Sequence, residues 1–79
     1  QFTFKLTKNA DIKIDIYTLS GRKIKSINKF NSKVGYNRIR WDGRDEYGSY
    51  LANGVYLYKI TAINEKQKID HIGRLAVHR

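Results

Sequence analysis

Ile12, Ile14 and Ile16 are separated only by Lys13 and Asp15, with Tyr17 following. This strict alternation constrains the fold more than any other feature. A period of two places the isoleucines on one side of an extended strand and Lys13, Asp15 and Tyr17 on the other. Isoleucine branches at Cβ, which favours a pleated strand over a helical turn. The same period runs through Phe2-Thr3-Phe4-Lys5-Leu6-Thr7. No segment carries apolar residues at the three- and four-residue steps of an amphipathic helix.

Turn chemistry divides the rest of the chain. Thr18-Leu19-Ser20-Gly21 reads as a tight turn leading into a return strand, Arg22 to Ile27. Ile24 and Ile27 are three apart, so a β-bulge or a strand end is expected near Ser26. Asn28 to Gly35 is polar and reads as a loop. Tyr36 to Trp41 reads as a strand, with Trp41, the only tryptophan, expected at the centre of the core. Asp42-Gly43-Arg44-Asp45-Glu46-Tyr47-Gly48 is too rich in turn formers for a regular element, and Tyr50 to Gly54 continues the connection. Val55 to Ala62 is apolar on both faces and should be a central strand. Asn64-Glu65-Lys66 makes a hairpin tip. Ile69 to Val77 is the last strand, with Leu75 and Val77 inward and Gly73 a candidate bulge. The expected fold is all-β: one small immunoglobulin-like antiparallel sandwich of about six to seven strands, spanning residues 1–79.

A chain of 79 residues forms one domain and buries roughly 60–65% of its unfolded surface, so its stability should be modest. It has no cysteine, hence no disulfide and no cysteine-based zinc site. With no methionine either, it is expected to be a piece of a longer protein, cut at or just before a strand, with a native first strand a candidate for the missing part. No run approaches the ~18 apolar residues of a membrane-spanning helix, and no signal-peptide pattern is present.

Sixteen Lys and Arg face seven Asp and Glu, a formal charge of +9. That excess suits an acidic partner: nucleic acid, anionic lipid, lipopolysaccharide or another anionic glycan, or an acidic protein surface. Because the basic residues are scattered over several strands, the bland alternative is a solubilising face. No recognition helix or RNA-binding motif supports a nucleic-acid partner.

The chain shows no constellation for catalysis. Ser20, Ser26, Ser32 and Ser49 lack a nucleophile-elbow context. No carboxylate pair shares a strand face in the way glycoside hydrolysis needs. His71 and His78 are seven apart, so on one strand they would face opposite sides. Asp42 and Asp45 could ligate calcium, but their spacing is not that of an EF-hand loop, and turn bonding by their side chains is the competing reading. Tyr56 and Tyr58 share one strand side, either packing inward or forming an aromatic docking stripe, while Tyr17, Tyr36, Tyr47 and Tyr50 are expected to be partly exposed. No cofactor and no enzymatic activity are expected.

Three segments in order carry a family resemblance: Ile16-Tyr17-Thr18-Leu19-Ser20-Gly21-Arg22, then Trp41-Asp42-Gly43-Arg44-Asp45-Glu46-Tyr47-Gly48, then Asn53-Gly54-Val55-Tyr56-Leu57-Tyr58-Lys59-Ile60. Together they resemble the immunoglobulin-like domains named after the flagellar hook-capping protein FlgD. They are also similar to the C-terminal sorting domains of the type IX secretion system, most of all the terminal modules of its gingipain-related sortases. Thr18 stands where those families usually have Asp, and their Asn-Pro rich lead-in is absent. The resemblance implies a non-catalytic C-terminal module of an exported or cell-surface bacterial protein. It would be covalently linked to a parent protein, either cleaved off after export as in type IX cargo or kept for docking as in the sortase, and be recognised by an outer-membrane translocon or shuttle barrel. The alternative is a structural spacer in an extracellular hydrolase or a hook cap. By family position and charge, the expected partner-binding residues are Lys68, Arg74 and Arg79, then Trp41, Asp42, Arg44 and Asp45 of the connecting loop.

Overall fold

A computed structural model describes residues 1–78. Six strands follow one another: β1 (Phe2–Leu6), β2 (Ala10–Tyr17), β3 (Lys23–Ser32), β4 (Gly35–Ile39), β5 (Gly54–Ile63) and β6 (Lys68–Val77). They form two antiparallel sheets. One is the pair β1-β4, and the other has the order β3-β2-β5-β6. The expected all-β sandwich is therefore observed, and β5 is central between β2 and β6, as its two apolar faces require.

The core grows from the alternation in β2. Ile12, Ile14 and Ile16 are at most 2% exposed and are the largest fully buried side chains. Each contributes about 1.5–3 kcal/mol on leaving water. Leu6 and Ile39 close over them from the two-stranded sheet, with Phe2, Phe4, Tyr56, Tyr58 and Ile60 packed around. The Phe2 ring lies 5.3 Å from that of Tyr58, which ties the two sheets together. Tyr56 and Tyr58 are thus packing residues.

Three local features differ from the expectations, and the bulge expected near Ser26 is found two residues away. Trp41 is half-buried at the margin, stacked 6.4 Å from Phe2, because β4 ends at Ile39 and the β2 isoleucines fill the centre. Asn28 to Ser32 is strand: pairing with β2 carries β3 on to Ser32, so tertiary hydrogen bonding overrides a polar local composition. The irregularity that reconciles Ile24 with Ile27 sits at Ile24 itself, where Ile16 pairs with Lys25 but Tyr17 with Lys23. Ser26 stays in register opposite Asp15. Gly73 is no bulge, since β5 and β6 pair without a register shift. It faces Tyr58, and a Cβ there would lie 2.5 Å from the tyrosine ring.

Candidate functional site

The loop after β4 is held by its own polar residues. Asp42 Oδ1 accepts the Arg44 amide at 3.1 Å, a two-residue side-chain turn. Asp45 Oδ1 accepts two amides, from Tyr47 at 2.9 Å and Ser49 at 3.0 Å. The Trp41 indole N–H donates to the Arg44 carbonyl at 3.0 Å. Arg44 in turn lies over the Tyr50 ring, 4.4 Å from its centre, and donates to the Tyr50 hydroxyl at 2.6 Å. That hydrogen bond raises the Arg44 pKa above its ordinary value. Gly43 and Gly48 take φ of 79° and 83°, the left-handed region that lets the loop reverse.

The loop also seals a sheet edge. β3 is the outer strand of the larger sheet, and an unpaired strand edge invites pairing with another chain. The Glu46 amide donates to the Ile24 carbonyl at 3.1 Å, and Glu46 Oε1 accepts the Ser26 amide at 2.7 Å. One residue thus satisfies two β3 backbone groups. Nothing local in the sequence announces this clamp, whose partners are 20 residues apart.

A second unforeseen feature is Asp15. It points to the open face of the sheet yet is only 5% exposed. The Ser26 hydroxyl donates to it at 2.8 Å, and the ammonium groups of Lys13 and Lys23 lie 3.8 and 4.0 Å away. Lysine stems cover the carboxylate while their charges offset its desolvation.

The residues singled out from the sequence do not form one site. Trp41, Asp42, Arg44 and Asp45 do come together in the loop against β3. Lys68 and Arg74 lie on β6, at the opposite edge of the same sheet, with β2 and β5 between. Opposite Ile63 and Leu57 respectively, they are about 20 Å apart along β6 at ~3.4 Å per residue. Arg79 lies outside the described residues. Among those described, no three His, Asp or Glu side chains converge to hold a metal ion.

On the opposite side of the sandwich, β1 and the inner face of β6 leave a groove. Its floor is Ile60, Ala62 and Ile69, its wall Phe4 and Leu6, and its volume about 220 Å³. No sequence signal marked it, because it depends on how far the smaller sheet covers the larger.

Two antiparallel sheets packed over an isoleucine core, joined by a glycine-set loop, define a small immunoglobulin-like β-sandwich module. More particularly, the chain belongs to the FlgD Ig-like domain family, whose model matches residues 1–66. Among solved structures it is similar to FLGD from P. aeruginosa, with a TM-score of 0.79 at 19% identity over 94% of this chain. It spans 58% of that protein. No curated protein matches the chain.

Proposed function

We propose that this chain is a non-catalytic structural module of a larger exported bacterial protein, of the hook-cap kind, serving to build and space that assembly. The observation that carries this reading is the loop from Trp41 to Leu51. Its acidic groups, together with Trp41 and Tyr50, are engaged in shaping the loop and holding it to β3 at Ile24 and Ser26, so this polar cluster serves architecture, while the Tyr47 ring stays exposed. The family and the similarity to FLGD support the same reading.

The test is a domain exchange. This chain replaces the matching segment of P. aeruginosa FLGD, and hook assembly and swimming are scored. Partial restoration relative to a deletion of the segment is expected. If the exchange matches the deletion while the hybrid is folded and exported, the hook-cap reading is wrong.

The second reading is a type IX sorting or docking module recognised by an outer-membrane partner. It is favoured by the three motifs and by the ten-residue β6 at a sheet edge. The chain would then carry a fused periplasmic reporter to the cell surface only when the translocon is intact. A reporter retained in the periplasm would exclude an autonomous sorting signal.

A further inference from the structure

We propose that the open side of the sandwich takes up an extended peptide segment of alternating acidic and apolar residues, added as a strand on the free edge of β1. Three observations converge there. First, Ile69 lies on the core-facing side of its strand, opposite Ala62, yet it is 58% exposed. The smaller sheet stops short of covering it. Second, among the described residues β1 pairs with β4 alone, which leaves its other edge without a strand partner. A two-stranded sheet is the least stable kind, and a third strand on β1 would extend it over Ile60, Ala62 and Ile69. Third, among the described residues the groove is lined by Lys5, Lys8 and His71 and by no carboxylate, on a chain of net charge +9. Alternation puts apolar side chains onto the floor and leaves the acidic ones to meet the lysines at the rim.

The same observations argue against other occupants. A second copy would bring a second charge of +9 against the lysine rim. An acyl chain could fill the apolar floor but offers nothing to the β1 backbone. On β3 the Ile24–Ser26 part of the edge is occupied by Glu46. The proposal concerns this surface whatever the parent assembly, and its failure would leave the structural-module reading standing.

A labelled ten-residue peptide alternating Val and Glu, and its counterpart with Lys for Glu, are titrated into the isotopically labelled chain. Anisotropy and amide chemical shifts are recorded. Saturable binding of the Glu peptide is expected, with shifts concentrated at Phe4 to Lys8 and at Ile69 to His71. The Lys peptide should bind at least about tenfold more weakly. Ile69→Asp, and separately the pair Lys5→Glu with Lys8→Glu, should each weaken the Glu peptide by about tenfold or more. All three positions are exposed, so circular dichroism should show the variants folded. The proposal is overturned if the Glu peptide does not saturate, if the shifts map to β3 or the Trp41 loop, or if both variants bind it unchanged. Self-association in sedimentation that Ile69→Asp abolishes would assign the groove to a second copy instead. Shifts at the same residues with anionic phospholipid vesicles but not with the peptide would assign it to lipid. Either result also overturns the proposal.

Discussion

At Gly73 a single methyl group would collide with a ring. The Tyr58 ring lies across this glycine, between Phe2 at 5.3 Å and His71 at 6.2 Å, so it has little room to retreat. Such an aromatic covers the backbone that a strand glycine exposes. Gly73→Ala is therefore expected to destabilise the fold by about 1–3 kcal/mol in chemical denaturation. A glycine without such a neighbour would gain about 0.4–1 kcal/mol from the same change, so the sign is diagnostic. Tyr58→Leu in the Gly73→Ala background should recover part of the loss, a coupling of about 0.5 kcal/mol or more. A stabilised Gly73→Ala would show that Tyr58 does not hold this position in solution. The sequence marked Gly73 as unusual within a strand, but for the wrong reason. A bulge and a covering aromatic leave the same local trace, and only the β5–β6 register separates them.

Among the elements, β2 carries most of the stability. Ile14 is fully buried, and Ile14→Ala should cost about 2–5 kcal/mol. A chain of 79 residues has a total of only about 4–12 kcal/mol at typical values per residue. The variant should therefore lose a large share of its stability, read as a clearly lowered melting temperature by circular dichroism. An Ile14→Ala protein with unchanged melting would place the core elsewhere. β2 was legible in the sequence because its signal lies within seven residues, each repeating the same choice of face. β3 was half legible: Ile24 and Ile27 mark its first half, while Asn28 to Ser32 are held as strand only by β2 alongside. The loop was legible as turns, since Asp and Gly act on neighbouring amides. Its closure of β3 was not, because a contact between Glu46 and Ser26 leaves no local pattern. Glu46→Ala should cost about 0.5–1.5 kcal/mol and expose the β3 edge to self-pairing, read as faster aggregation at high protein concentration.

For the whole molecule, charge is the dominant property that the fold does not use. A net +9 on a body of about 36 × 21 × 20 Å works against compaction. Few carboxylates are available to offset it. The ion pairs from Lys59 to Asp70, at 3.9 Å, and from Arg44 to Asp42, at 3.7 Å, are exposed and contribute little. Raising salt from about 10 to 150 mM shortens the screening length from ~30 to ~8 Å and should raise the melting temperature by a few degrees. A melting temperature that falls with salt would mean that attractive pairs such as those around Asp15 outweigh the repulsion. The overall charge was plain in the sequence. Its distribution was not: the groove beside β1 has lysines without carboxylates, while the β2–β3 face gathers lysines around Asp15.

The Trp41 loop is architecture bound to the β3 edge, and the side of the sandwich beside β1 is open. Native-state hydrogen exchange, residue by residue, tests this most directly. The Ser26 and Glu46 amides should be protected nearly as well as those of β2 and β5, while β1 exchanges much faster. Rapid exchange at Ser26 and Glu46, at the rate of free loops, would contradict it. The loop would then be a mobile element free to bind a ligand, and the β3 edge would be open in its place.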